Sequence, residues 1–518
     1  MKTPTYLLYL LSFLEGGSVM VCELAGAKML APFFGTSLYV WAAVLGIALL
    51  GLTMGYFLGG IMSKKYANDD RLLFWVLIFA GLSLSIMPIS SKWIMEMTIN
   101  LNLQTGAIIS LLIFMFPPLV FMGMTSPIII NLLTQEANNA GNSAGNVYAI
   151  STLGGILLTF LSGFYFIPEF GVSKPSLVVG VILALIPTIL LLKRKQMTAG
   201  LLFIAFFVLG GWNLGVQEEF PPNYNVLYES EGILGQVRVV DHPSFEITPD
   251  ARIGRGLLVN NTLQTFVGHE NDMQYSIWSW ANYFPTAASI FPKGSKVLLL
   301  GLGGGTIVKQ FHRLGYEVDA VEIDKRIWDV SVEYFNMDPE TNVVIDDARH
   351  FIRTTKNKYD IIVFDTFLSE SVPEHLITKE GFDDARKILN QGGMIMTNFY
   401  GFIEGAAGKA ARFVYKTFLE SGFNTKILVT PGSEDSRNII FLASEEEKDF
   451  TNTQYEAPNF EKIDNLYEHF YDGKFIDLSD VEVLTDDRPQ LSKLYATAAM
   501  RWKKSYNEYY QRHFFYEK

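Results

Sequence analysis

The stretch KVLLLGLGGGTIVKQFHRLGYEVDAVEID, residues 296–324, sets the reading of this chain. An apolar run short enough for a buried strand enters a turn with glycine at 301, 303, 304 and 305. A helical pattern follows, stops at Gly315, and gives way to a second strand that ends in acids. Strand, helix and strand at this length predict a βαβ unit and a parallel sheet. In the turn, Gly301, Gly303 and Gly305 let the backbone approach a ligand closely at a helix N-terminus. Such a turn alone is a weak signal. Glu322, about twenty residues further on, strengthens it, because a carboxylate there can accept both hydroxyls of a ribose.

Downstream, NVVIDDARHFI (342–352) places Asp346 and Asp347 after another strand, and YDIIVFDTF (359–367) ends a buried strand with Asp365. Acids therefore stand at the carboxyl ends of successive parallel strands, the edge where open α/β sheets bind ligands. Taken singly, each reads as a solvated turn or a helix cap. With the glycine turn at its spacing, the set predicts an adenosyl-type nucleotide site. Upstream, YNVLYESEGILGQVRVVDH (224–242) and RGLLVNNTLQTFVG (255–268) read as short strands with turns, a small β module.

Further toward the N-terminus the character changes near residue 217. Crossing a bilayer takes about 20 mostly apolar residues in helical form. Seven segments qualify, near 5–27, 38–62, 72–91, 106–133, 145–167, 175–192 and 198–216. The first holds Glu15 and Glu23 and is followed by more spans, so it is not a cleaved signal peptide. Gly51, Gly55 and Gly59 share one helix face and predict close approach of a neighbour. Glu15 and Glu23 also share a face, and each needs a polar partner or cavity at bilayer depth; Lys28 is a candidate partner for Glu23. Lys2, Lys64, Lys65, Arg71, Lys193, Arg194 and Lys195 fall on one side against Lys28, Lys92 and Lys174 on the other. The positive-inside rule then puts the N-terminus in the cytoplasm, and seven spans put the soluble domain outside.

The whole chain of 518 residues carries a net charge of −12, which excludes a basic nucleic-acid binder. Seven scattered histidines and the single Cys22 exclude a disulfide framework and a zinc cluster within one chain; no metal is expected. The tail WKKSYNEYYQRHFFYEK (502–518) reads either as a packed helix or as a membrane-surface or partner contact.

Together these residues resemble the spermidine synthases, and specifically their membrane-fused relatives. The resemblance rests on CELAGAKMLAPFFGTSLYVWAAVLGIALLGLTMGYFLGG (22–60), on LLVNNTLQTFVGHENDMQYSIW (257–278), and on VEID, DDA, FDTF and LTDDRP in that order. It implies that Gln264 and Glu322 contact the nucleoside, that Asp347 reads the adenine amino group, and that Tyr275 and Asp365 position an acceptor amine and take its proton. It also implies AdoMet or decarboxylated AdoMet as cosubstrate. Two departures stand out: Gly304 occupies the place of an acid within the family's glycine turn, and Leu368 the place of a second acid after Asp365. Both missing acids recognise cations, and Glu370 is a possible substitute for the second.

The expected fold is thus a polytopic helical membrane domain (1–216), a small β module (217–285) and a Rossmann-like class I AdoMet-dependent transferase domain (286–518). The expected function is alkylation of a small-molecule amine, as by an aminopropyltransferase. Two other readings stay open: a catalytically silent scaffold in a membrane complex, and a polyamine or cation transporter with Glu15 and Glu23 in its path. The expected surroundings are the lipid bilayer, taken as the bacterial inner membrane, with other membrane proteins or further copies of the chain as possible partners. Cosubstrate supply favours a cytoplasmic soluble domain, against the charge count.

Overall fold

The computed structural model describes residues 3–34, 38–66, 69–98, 101, 103–134, 140–215, 224–232, 234–244, 252–268, 273–366, 373–434, 437–457, 460, 462–471, 476–488, 490–491 and 493–495. Leu368, Glu370 and the 502–518 tail lie outside them. The chain divides into two compact units, Met1–Glu219 with Ser230–Gln236, and Phe220–Glu229 with Val237–Lys518.

The first unit is helical: α1 (Thr5–Phe34), α2 (Leu38–Lys65), α3 (Arg71–Thr98), α4 (Leu103–Phe114), α5 (Phe116–Leu133), α6 (Ala140–Leu161), α7 (Ile167–Phe170), α8 (Ser173–Lys193) and α9 (Met197–Gly215). A π-helical turn, Ser162–Phe166, joins α6 to α7. Among the described residues six helices are long and apolar enough to cross a membrane, where seven spans were expected. The expected segment 106–133 is two helices that break at Met115. Pro117 and Pro118 follow the break, and proline lacks the N–H that would continue the ladder. The expected segment 198–216 coincides with α9, a 19-residue apolar helix whose Ala199 and Leu202 join the same core; the count of six holds among the described residues and leaves this segment open.

Packing within this unit is set by small residues. A Cβ on Gly59 would lie 2.6 Å from the Met124 carbonyl, and one on Gly51 would lie 2.9 Å from Leu119 Cβ, so α2 touches α5 along its glycine face. Contacts rise in step along both chains, which makes α2 and α5 parallel. Ser12 Oγ donates to the Val147 carbonyl at 3.1 Å and Ser151 Oγ to Glu15 at 3.2 Å, pairing α1 with α6. Glu15, 3 % exposed, thus has its polar partner on a neighbouring helix. The Lys28 ammonium sits 6.0 Å from the centroid of the Trp41 ring. α3 and α8 are antiparallel, since Gly81 meets Gly180 while Arg194 pairs with Asp70. Thr3 joins the same carboxylate. These directions are those of alternating traverses with α4 and α5 counted together.

Two sheets follow, in the second unit apart from Ser230–Gln236. The smaller is a four-stranded meander: β1 (Asn225–Gly232), β2 (Gly235–Ser244), β3 (Arg252–Val259) and β4 (Thr262–Gly268). Asn260 and Asn261, with φ 50° and 59°, make the tight turn between β3 and β4. The short α10 (Tyr283–Ala288) leads to the larger sheet, whose strands are β5 (Lys296–Leu300), β6 (Glu317–Glu322), β7 (Asn342–Ile345), β8 (Tyr359–Phe364), β9 (Leu389–Tyr400), β10 (Asn424–Val429) and β11 (Asn438–Ser444). Their spatial order is β10-β11-β9-β8-β5-β6-β7, parallel from β9 to β7 with β11 antiparallel to both its neighbours.

Both faces of this sheet are covered, which explains the unbroken apolar runs. Val297 and Leu299 of β5 pack on one side with Val308 and Phe311 from α11 (Thr306–Arg313) and Val330 from α12 (Lys325–Phe335). Leu298 and Leu300 pack on the other with Ile352 from α13 (Ala348–Thr354), Phe382 from α14 (Lys379–Lys387) and Phe418 from α15 (Lys409–Glu420). The chain leaves β5 toward β6 and β7, then returns to β8 on the opposite flank. The strand order therefore reverses between β5 and β8, and open α/β sheets form their ligand crevice at such a reversal.

Candidate nucleotide and proton-transfer site

The expected glycine turn lies at that reversal. Gly301, Gly303 and Gly305 have φ of 88°, 54° and 75°, values that side-chain-bearing residues rarely adopt. At Gly301 a side chain would also run into the Asp365 carbonyl. Gly305 caps α11 in a left-handed conformation. The turn is thus held against the end of β8, with Asp365 at its flank.

Glu322 ends β6, 8 % exposed, and its carboxylate spans two backbone donors: the Leu302 N–H at 3.0 Å and the Asp324 N–H at 2.9 Å. Burial raises its pKa to about 7, against the opposing pull of those N–H groups. The acid is fixed beside the glycine turn with lone pairs left for hydroxyl donors. Gln264, on β4, carries a buried Nε2 with no hydrogen-bond partner among the described residues.

Asp347 caps α13, its Oδ1 accepting the N–H groups of Arg349 at 2.9 Å and His350 at 3.0 Å. Its Oδ2 lies 3.1 Å from His375 Nε2. Burial alone would raise its pKa, but the His350 N–H, the His375 ring and the Arg349 N–H outweigh it and hold the acid below the usual range. Asp346 faces His350 at 2.6 Å. Asp365, at the end of β8, accepts from Asn398 Nδ2 at 2.8 Å. Burial raises its pKa to about 6, and the Asn398 bond opposes part of that rise.

Gly301, Gly303, Gly305, Glu322 and Asp365 converge on the β5/β8 crevice, and Asp347 stands one strand beyond Glu322, after β7. Tyr275 is placed elsewhere: its ring lies under the Arg313 guanidinium, 4.5 Å away, at the end of α11 opposite the glycine turn. Gly304 is enclosed, because a Cβ there would lie 2.7 Å from Thr265 Cγ2 and 3.0 Å from the Phe335 ring. Its N–H donates to Thr265 Oγ1 at 2.8 Å, so β4 is latched to the turn. The late LTDDRP segment sends Asp486 to Thr378 at 2.7 Å and to the buried Arg349 at 3.3 Å, while Arg488 pairs with Glu482.

Sequence reasoning passed over Thr265, His375 and Asn398. A signal existed for Asn398: a lone amide amid the apolar MIMTNFY run of a central strand.

A model of the spermine/spermidine synthase domain matches residues 285–431. A polyamine aminopropyltransferase of Vibrio vulnificus is 34 % identical over 174 residues, covering 31 % of this chain and 56 % of that protein, so the chain spans little more than half its length. Polyamine aminopropyltransferase 2 of Aquifex aeolicus is 25 % identical over 512 residues, covering 93 % of this chain and 97 % of that one. Among solved structures, a probable spermidine synthase of Corynebacterium glutamicum is 17 % identical with a TM-score of 0.35, covering 44 % of this chain and 82 % of that chain.

Proposed function

We propose that this chain, a spermidine-synthase-like AdoMet-type domain fused behind a multi-span set of apolar helices, is a membrane-anchored transferase that alkylates an amine with decarboxylated AdoMet. The observation that carries the reading is the juxtaposition of the glycine turn, Glu322 and Asp365 across one crevice. We divide the chain as 1–216, 217–285 and 286–518.

Charge favours the decarboxylated donor over AdoMet. Glu322, Asp346, Asp347 and Asp365 line the strand ends, and the nearby Arg326 is already paired with Asp324 at 2.6 Å. A donor with a sulfonium and an ammonium suits such an edge, and a carboxylate on its arm does not. Glu322 would hold the ribose, Gln264 and Asp347 the remaining polar edge of the nucleoside, with His375 displaced from Asp347 as the adenine enters.

The chemistry asks mainly for alignment, because a sulfonium carbon is already activated. The amine nitrogen attacks the carbon in line, the C–N bond forms as the C–S bond breaks, and the electron pair leaves with methylthioadenosine. Asp365 takes the proton given up by the amine. The enclosed Gly304 leaves no space for an acid there, so the donor ammonium depends on the remaining carboxylates.

Orientation turns on α9. Lys64, Lys65, Arg71, Lys193, Arg194 and Lys195 belong to the end of the helical unit where Thr3, Asp70 and Arg194 meet. We place that end in the cytoplasm by the positive-inside rule. Donor supply favours a cytoplasmic second unit, which requires that α9, although 19 residues long and apolar, does not cross the bilayer.

Incubating the detergent-purified chain with decarboxylated AdoMet and a panel of amines should release methylthioadenosine and an alkylated amine, seen by mass spectrometry. Asp365→Asn should bind methylthioadenosine normally and lose turnover by about 10²–10⁴-fold. Equal turnover in that variant would reject the assignment.

A further inference from the structure

Among the buried polar side chains, Asn398 has no part in the chemistry above. It lies on β9, within a run from Gly393 to Tyr400 that is buried throughout, and is itself 6 % exposed. A buried amide needs partners for both its oxygen and its NH2 group. Its Nδ2 donates to Asp365 Oδ1 at 2.8 Å, and its Oδ1 accepts from Asn438 Nδ2 at 2.9 Å. Asn438 is fixed in turn, its backbone N–H donating to Thr430 Oγ1 at 2.9 Å. Because β11 pairs with β9 in the register Asn438↔Tyr400, Asn438 stands at the ligand edge of the sheet.

The donors run one way, from Asn438 through Asn398 to Asp365. Turning the Asn398 amide over would set NH2 against NH2 at one end and oxygen against carboxylate at the other. Asn438 therefore dictates which face Asn398 shows to the acid.

We propose that Asn398, oriented by Asn438, is a positioning residue that commits Oδ1 of Asp365 as a hydrogen-bond acceptor and leaves Oδ2 to take the proton of the attacking amine. A proton on Oδ1 would meet the Asn398 N–H, so the acid protonates at Oδ2, the oxygen turned away from the amide. The inference rests on the amine-alkylation reading. Charged groups on the surrounding elements are engaged elsewhere: Glu322 with the glycine turn, Arg437 with Glu434 at 3.1 Å, and Glu404 with the Tyr471 hydroxyl. Asn398 is thus the side chain that tunes the acid against burial.

The test is the pH profile of kcat/KM for wild type, Asn398→Leu, Asn398→Asp and Asn438→Ala in the full chain. Losing the donor removes a stabiliser of the carboxylate, so the acidic limb should move up by about one to two pH units in Asn398→Leu. Asn398→Asp should move it further, through like-charge repulsion, and Asn438→Ala less than either. Activity relative to wild type should recover as pH rises past the displaced limb. A loss that is uniform across pH, or a limb unmoved in all three variants, overturns the proposal. If wild type releases no methylthioadenosine with any amine, the transferase reading itself fails. The relay is then judged by the ¹³C-carboxyl titration of Asp365, assigned by its disappearance in Asp365→Asn, which should show the same upward order; an unchanged titration overturns it.

Discussion

Glycine serves opposite ends in the two halves of this chain. In α2, Gly51, Gly55 and Gly59 sit in ordinary helical conformation, and what matters is the missing Cβ, which lets α5 approach to backbone contact. In the turn after β5, what matters first is backbone freedom: Gly301, Gly303 and Gly305 have positive φ, and the turn they form lies at the proposed nucleotide site. One set holds a scaffold together, the other shapes a site. Substitutions in the first should act on stability, and those in the second on binding.

The largest effect is expected at Gly301. Alanine there meets both a positive φ and the Asp365 carbonyl, so Gly301→Ala should weaken methylthioadenosine binding more than 100-fold by calorimetry; a loss under threefold would mean the turn is not ligand-facing. Next comes Glu322→Gln, expected to weaken binding roughly 10–100-fold by removing hydrogen bonds to a charged acceptor. Burial holds Glu322 at about 7, above its value in the unfolded chain, so the folded protein loses stability as pH climbs from the carboxylate range toward 7. Ribose hydroxyls favour the anion, so wild-type affinity should rise with pH through this window. Glu322→Gln should flatten that dependence.

In the helical half, Gly55→Leu should cost about 1–3 kcal/mol by overpacking, read as a lower melting temperature, while nucleoside affinity stays within twofold. A large affinity change would break the division of roles. The smallest effect belongs to Gly60, on the same helix but with nothing within 4 Å of its Cβ direction. Gly60→Ala should leave stability unchanged or raise it by about 0.5–1 kcal/mol at most, read as an unchanged or higher melting temperature. A clear destabilisation would show that the open face is a contact surface.

Much of this was legible because both halves write their geometry in short-range pattern. The βαβ unit from 296 to 324, the acids at 322, 347 and 365 and the apolar helices were each readable from spacing within one segment. What escaped depends on residues far apart in sequence. Thr265 reaches Gly304 across 39 positions, Asn398 reaches Asp365 across 33, and Asn438 reaches Asn398 across 40. Such partners follow from strand order, which a single segment does not encode. Tyr275 shows the converse: its family position is recognisable in sequence, yet its ring lies under Arg313. The break at Met115 was local and readable, since two prolines follow it, but an apolar run conceals a change of helix.

The central claim is that the β5/β8 crevice holds an adenosyl nucleotide. Titrating the detergent-purified full chain calorimetrically with decarboxylated AdoMet and with methylthioadenosine tests it most directly. One site per chain at micromolar affinity, abolished by Glu322→Ala and by Asp347→Ala, is the predicted result. No heat from either ligand, nor from AdoMet, at millimolar concentration would contradict it.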